Sequence, residues 1–587
     1  MRQLVFDIET DDLEATKIWC LCTLDVDTGE ERTFTYENLR KGIEYLESAD
    51  KLIGHNIIGF DVPVLESLTV AKLSDKKLVD TLVLSRLFNP VREAGHGLES
   101  WGYTLGYPKI EFDQYDKFSQ EMLDYCVQDV RLNYRVYQEL KKLSKGFSKE
   151  AVDIEMETYK IITAQRRMGF FLDVPSCKRL LSELHNKMDE VVEKVGERFV
   201  AKKETTYLYP KFSATGALSK TAVDNYGKGT RLSQLEWLDM QEAVKQGGKK
   251  VKIPRVIITD FNLGSRKQIG QYLMDFGWKP KVFTPTGQPQ VDEKILSKVD
   301  IPEASLICDY LMYQKRIAQI DSWLKAEKDY RVHGFVNSNG TITGRMTHNS
   351  PNLAQVPSSS SPYGKECRSC WCVDEGNKLV GIDASGLELR MLAHYLNDKD
   401  YTNEIINGDV HSANQRSAGL ESRTQAKTFI YALLYGAGNE KLGSVAGGGK
   451  QLGAKLRKSF FDNLPSFKTL TTRVESAAGK GFLKGLDGRK VFVRSKHAAL
   501  NSLLQSAGAI VMKKALIILN ESIKSQRLAA HFVANVHDEW QLEVREDQAD
   551  VVGRLGVEAI IKAGQELNLN CPLDGEYNVG NNWSETH

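Results

Sequence analysis

Residues 531–544, HFVANVHDEWQLEV, read as a strand, a turn and a second strand. Trp540, Leu542 and Val544 alternate with Gln541, Glu543 and Arg545, the period of a pleated strand. His537, Asp538 and Glu539 fall in the turn. Two adjacent acids at a hairpin tip repel each other unless the tip faces a cation. A partner stands about 155 residues earlier, in KLVGIDASGLELRMLAHY. There Val380 and Ile382 belong to a strand, Asp383 sits where it ends, and Glu388 and Arg390 follow as the chain turns into a helix. An Asp at a strand end is common by itself. Set against the hairpin acids, it gives the C-terminal half a carboxylate pair that divalent cations can join.

Between these runs lies RTQAKTFIYALLYG, in which Arg423, Lys427 and Tyr431 recur every four residues on one helix face. Two cations one turn apart repel mildly. They become useful when a polyanion lies along that face, Arg binding as a fork and Lys as a point charge. A solvated face with an aromatic at its edge is the plainer alternative.

The N-terminal part repeats the theme of acids on strands. Residues 3–8, 18–26 and 32–36 read as strands, the latter two joined by the turn-like Asp27-Thr28-Gly29, with a helix over 37–48 and a strand over 51–54. Residues 119–143 form a strongly amphipathic helix, since Leu123, Val127, Val130, Tyr134, Tyr137 and Leu140 recur at helical spacing. Asp7 and Glu9 share one strand face, HNIIGFD delivers Asp61, and Tyr125 and Asp129 share one helix face. Mixed strands with interleaved helices predict a small mixed α/β sheet with helical cover.

Composition sets the outer limits. The chain has 587 residues, a soft prior of about four domains. Its 41% apolar and 26% charged residues are those of an ordinary globular protein. A net charge of +1 excludes a histone-like polycation, although charges sorted in space can still hold nucleic acid. MRQLVFDIET is no secretory signal, and no run of about 18 apolar residues predicts a membrane span. Nine scattered cysteines read as reduced thiols. Cys367, Cys370 and Cys372 have zinc-like spacing, without a second ligand pair at the usual distance. Residues 200–255 are polar and loop-like. Their basic patch, Lys245, Lys249, Lys250, Lys252 and Arg255, is either solvated or tracks phosphates.

Asp-x-Glu, Asn-x-x-x-Phe-Asp and Tyr-x-x-x-Asp, in this order, resemble the tyrosine-containing branch of the DEDD 3′–5′ exonucleases, whose fold is RNase H-like. The runs DASGLELR, AKTFIY and VHDE resemble motifs A, B and C of family A DNA polymerases, closest to the replicative enzymes of T-seven-like bacteriophages. TGR at 343–345, PNLAQ at 351–355, GLDGRKV at 485–491 and LLQSAGA at 503–509 extend the likeness over nearly the whole chain.

The resemblance implies a multidomain α/β and α+β protein. Its parts would be an exonuclease domain over 1–147, a thumb and connecting segment over 148–330, palm over 331–395 and 499–587, and fingers over 396–498. It implies template-directed DNA synthesis with proofreading. Asp383 and Asp538 would hold two Mg2+ ions, Mn2+ being able to substitute, with Glu539 in support. Arg423, Lys427, His411, Tyr431 and Ala384 would bind the dNTP, and Lys427 would protonate the leaving pyrophosphate. Glu388 would bar a 2′-hydroxyl, and Arg345, Gln505, His537 and Arg489 would contact primer–template. Asp7, Glu9, Asp61 and Asp129 would hold the exonuclease metals, with Tyr125 orienting the attacking water. Helicase and primase of a replisome in the infected host's cytoplasm are the implied company, with no membrane. The segment where T-seven-like enzymes bind host thioredoxin looks too short here, over about 200–260, to predict that partner. Competing readings are a 3′–5′ nuclease whose C-terminal half only binds DNA, and a single-subunit RNA polymerase, disfavoured by Glu388.

Overall fold

The computed structural model describes residues 2–587, which divide into two compact units, 2–174 with 322–587, and 175–321. In the first unit, β1 (Gln3–Thr10), β2 (Ile18–Asp25), β3 (Glu31–Thr35), β4 (Lys51–Gly54) and β5 (Lys77–Asp80) form one sheet in the order β3-β2-β1-β4-β5. β1 runs antiparallel to β2 and parallel to β4. The β2–β3 hairpin closes because the Asp25 carboxylate accepts from the amides of Asp27 and Thr28, and Gly29 takes φ +74°.

Helix α1 (Asp61–Leu68) follows β4, and α2 (Gln120–Leu143) lies across the sheet. Ser119 caps α2 by accepting from the Met122 amide. Met122, Cys126, Asp129, Val130, Leu132, Asn133, Val136, Tyr137 and Leu140 are its buried residues, at helical period; of the expected stripe Val130, Tyr137 and Leu140 are buried and Leu123, Val127 and Tyr134 half-buried. Helix α3 (Lys149–Met168) leads away from this layer and is buried over much of its circumference.

The second unit corrects the reading of 200–255 as loop. β6 (Lys202–Phe212), β7 (Leu218–Val223), β8 (Gly229–Arg231) and β9 (Ile253–Thr259) form an antiparallel sheet in the order β9-β6-β7-β8, with α4 (Gln234–Gly247) between the last two strands. Only Leu208 of β6 is buried. Neither face of the strand is therefore packed along its length, and the alternation that marks a half-buried strand is missing. The patch is not uniformly free. Arg255 pairs with Glu236, and the Lys252 ammonium lies 3.9 Å from the Tyr207 ring centroid.

Back in the first unit, β10 (Asn377–Ala384) runs into α5 (Leu387–Leu396). Then come α6 (Val410–Ala418), α7 (Arg423–Leu434), the long α8 (Ala499–Ser525), β11 (Ala530–Val536), β12 (Glu539–Arg545), α9 (Ala549–Glu566) and β13 (Gly575–Gly580). The strands pair antiparallel in the order β11-β12-β10-β13. Helix α9 lies close on this sheet because a Cβ at Gly556 would strike Ile382 and one at Gly553 would strike Tyr577. The α8 segment is long and apolar enough on average to cross a membrane, although polar residues and Lys513-Lys514 interrupt it so that no unbroken run of about 18 apolar residues occurs. Its most apolar window is 78% buried inside the protein, so it is the core helix. Cys367 and Cys370 are buried and Cys372 half-buried; the converging thiols among the described residues lie elsewhere, on β2 and α2.

Candidate active sites

The structure gathers two carboxylate clusters. In the first, Asp7 and Glu9 project from one face of β1, Asp61 opens α1, and Asp129 comes from α2. The Asp61 carboxylate accepts from the Ile8 amide at 3.2 Å. Burial, then the charges of Asp61, Glu9 and Asp129, hold the Asp7 carboxyl well above the usual range. Burial likewise pushes Glu9 up to about 9 and Asp61 to about 7. Lys109 pairs with Asp129 at 2.5 Å, and its ammonium sits 4.6 Å from the Tyr125 ring centroid. Burial and then Asp129 push the Tyr125 hydroxyl far above its ordinary range, so it can orient a water but cannot act as a base near neutral pH.

The second cluster lies at the tip of the β11–β12 hairpin. Asp383 is in register with Glu539, and the Ala384 amide donates to the Asp538 carbonyl at 3.1 Å, so β10 ends beside the turn. His537 takes φ +58°, which turns the chain in a single step. Burial, then Asp538 and Glu539, raise Asp383 to about 7. Burial raises Glu539, but bonds from His587, Gln541 and Trp583 outweigh it and hold that carboxyl low. Glu539 thus faces its own protein partners. A cavity of about 510 Å3 opens over the hairpin, lined in part by Arg345, Asp383, Ala384, Glu388, Tyr431, His537 and Asp538. Tyr435 donates to Glu388 at 2.9 Å, and Arg345 approaches the same oxygen at 3.8 Å.

Residues 235–585 match the family described as DNA polymerase family A. The DNA-directed DNA polymerase of Enterobacteria phage T3 is 35% identical across the whole of both chains. This chain belongs to DNA polymerase family A. The DNA-directed DNA polymerase of Escherichia phage T7 is also 35% identical over the full length of both. These alignments run to 709 and 710 positions, so each relative carries more than a hundred residues that this polymerase of 587 lacks. The POL domain of Pol1 from M. smegmatis, solved in complex with DNA primer-template and dNTP, shares the fold. Its TM-score is 0.77 at 18% identity, covering 99% of this chain and 95% of that one.

The remaining expected residues of the polymerase separate into groups. Arg423 and Lys427 lie exposed on α7, Tyr431 reaches from the same helix into the cavity, and the His411 ring on α6 stands 6.5 Å from that of Tyr431. Arg423 is bound to Asp409 at 2.7 Å rather than free. Gln505 is half-buried on α8 and does not line the cavity.

Arg489 corrects the sequence reading. It is 3% exposed, chelated by Asp487 and bonded to Glu155 at 2.6 Å, so its guanidinium has no face for a DNA phosphate. Sequence reasoning missed Lys109, Tyr435 and Lys513. Tyr435 had a signal, standing one turn beyond Tyr431. Lys109 and Lys513 had none, because their partners are distant in sequence.

Proposed function

We propose that this DNA polymerase works with two separate carboxylate sites, one for synthesis and one for 3′–5′ removal of mispaired ends. The observation that carries the reading is the pair of carboxylate clusters whose charges repel, one between β1, the start of α1 and α2, the other where β10 ends beside the β11–β12 turn. Their donor sets suit hard divalent cations. In the first, carboxylate oxygens of Asp7 and Glu9 lie within 4.8 Å of each other, and the Asp129 Oδ1 atom is buried without a hydrogen-bond partner. Asp7, Glu9, Asp61 and Asp129 would hold one set of magnesium ions and Asp383 with Asp538 the other, two per site, with manganese as a substitute. Bound there, the ions would activate the attacking oxygen and neutralise charge on the phosphate.

The chain's own residues do the positioning. Glu388, fixed by Tyr435, stands at the cavity wall where a 2′-hydroxyl would collide. Arg423, on leaving Asp409, and Lys427 offer a fork and a point charge to a triphosphate, Lys427 also being placed to protonate pyrophosphate. His411 and Ala384 complete the nucleotide pocket, and Arg345, Gln505 and His537 face primer–template. Tyr125 orients the water at the first cluster. The sheet order β3-β2-β1-β4-β5 supports an RNase H-like exonuclease fold for 1–147. Thumb over 148–330, palm over 331–395 and 499–587 and fingers over 396–498 complete the assignment. The enzyme would act in the cytoplasm of an infected host beside a helicase and primase. The shorter chain is consistent with a clamp other than thioredoxin.

Primer extension and single-strand digestion by paired variants test this. Asp383→Ala should stop synthesis and leave digestion; Asp7→Ala should do the reverse. Loss of both activities in either folded variant would refute two separate sites.

A further inference from the structure

The acidic row of the first cluster adjoins a row of sulfur. In the register of β1 and β2, Glu9 faces Cys20 and Asp7 faces Cys22. Directly opposed residues project from the same face of a sheet, so two thiols stand beside two carboxylates. Helix α2 adds Cys126, three residues before Asp129. The three sulfur atoms lie within 4.8 Å of one another, and Cys20, Cys22 and Cys126 are 0%, 1% and 0% exposed. Cys126 Sγ also lies within 4.8 Å of a carboxylate oxygen of each of Asp7 and Glu9, and its thiol donates to the Asp7 carbonyl at 3.6 Å. The thiols therefore open on the acidic row.

We propose that Cys20, Cys22 and Cys126 form a binding site for one thiophilic divalent cation of the zinc class, with an oxygen of Asp7 or Glu9 in reach as the fourth ligand. Zinc–sulfur bonds of about 2.3 Å in a tetrahedron put sulfurs about 3.8 Å apart, so closing the site requires each thiol to move by about an ångström or less. Loading is acid–base chemistry without electron transfer. Three S–H protons leave to solvent and three metal–sulfur bonds form. Thiolates select zinc or cadmium, whereas the neighbouring carboxylates select magnesium. Two ions of different softness would thus be sorted on one sheet face. This binding depends on the β1–β2 register and on α2, and holds whether or not the acidic row is an exonuclease site.

The test uses the full-length protein, stripped with chelator, kept reduced by a phosphine and titrated with Cd2+. Sulfur-to-cadmium charge-transfer absorption should rise and saturate at one equivalent, in the presence of excess Mg2+. It should be lost in Cys20→Ser/Cys126→Ser and retained in Cys367→Ser/Cys370→Ser. Near-ultraviolet circular dichroism confirms that each variant is folded. If the double variant does not fold, Cys22→Ala alone must remove most of the absorption at one equivalent. No absorption at one equivalent overturns the proposal. So does full absorption in the Cys20/Cys126 variant, or an undiminished signal in Cys22→Ala.

Discussion

Removing the Glu155 charge should destabilise the protein by an amount that depends on pH in a calculable way. Glu155, on α3, is 0% exposed. One of its oxygens accepts from Arg489 and from Lys513, each at 2.6 Å. Arg489 also holds Asp487, so two anions and two cations balance inside the core. Burial, partly offset by Glu155, lowers Lys513 to about 8 from its ordinary 10.5. In Glu155→Gln the ammonium loses its counter-charge, and the amine should be neutral throughout the range in which the protein is folded. The native protein then holds an advantage of about 1.4 kcal/mol for each pH unit below the Lys513 value. That is about 3 kcal/mol at about pH 6, about 1 at about pH 7 and close to zero by about pH 9. The bond lost to Arg489 adds a part independent of pH. The total at the acid end should reach the ~3–5 kcal/mol typical of a broken buried pair. Urea unfolding followed by tryptophan fluorescence measures it. A second substitution, Lys513→Met, should remove the pH dependence. An equal loss at both ends of the range, or one that grows with pH, would refute Lys513 as the titrating partner.

Three further outcomes follow from the same geometry. Burial above all pushes Asp61 and Asp383 up to about 7 and Glu9 up to about 9, so the metal-free protein should carry extra protons there. Each raised carboxyl favours the folded state as pH falls and stops doing so as pH rises from about 4 through its folded value. Magnesium binding should therefore release protons near neutral pH and tighten as pH rises, which calorimetry in buffers of different ionisation enthalpy measures; binding without proton release contradicts the shifts. Glu388→Ala should raise ribonucleotide incorporation relative to deoxynucleotide, read as a ratio of kcat/KM values; an unchanged ratio removes Glu388 as the gate. Primer–template affinity should fall steeply, by about a thousandfold or more, between about 50 and 200 mM salt if six or more phosphates are contacted, and a shallow slope in filter binding would count against an extended grip on the backbone.

Where apolar residues are dense or periodic, the sequence showed the element. The apolar run of Gln3–Ile8, the apolar–polar alternation after Asp538 and the helical period of α2 are all open in the sequence, although both strands are buried on both faces. The sheet built on β6 was hidden because its strands bury almost nothing, leaving only the turn glycines Gly216 and Gly227 as signals. Arg489 is a primer–template contact only by the resemblance of GLDGRKV, and its partners Asp487 and Glu155 claim it instead. The sign to the contrary was Asp487, two residues earlier. Lys109 and Glu155 could not be read, since an ion pair between residues far apart in sequence leaves no local trace. Those long-range pairs also show how the net charge of +1 is distributed: acids gather at two sites and cations either neutralise them or lie exposed on α7.

Helix α3 explains why the two clusters belong to one compact unit. Its Tyr159 hydroxyl donates to Asn56 at 2.7 Å, in the turn that delivers Asp61. Four residues earlier, about 6 Å along the axis, Glu155 grips Lys513 on the cavity wall. At the other end Gln165 accepts from Asn535 at 2.5 Å, two residues before His537 on the strand that leads to Asp538. All three contacts are buried or half-buried polar bonds, costly to leave unmade. An α-helix has a fixed rise, so one rigid rod sets the separation of the turn behind Asp61 from the strand behind Asp538. On the proposed two-site reading, a primer end fraying from one cluster would have a constant distance to travel to the other. The buried charges of α3 are best understood as the joint that keeps that distance constant, since apolar packing alone would tolerate sliding that directed bonds to Asn56, Lys513 and Asn535 forbid.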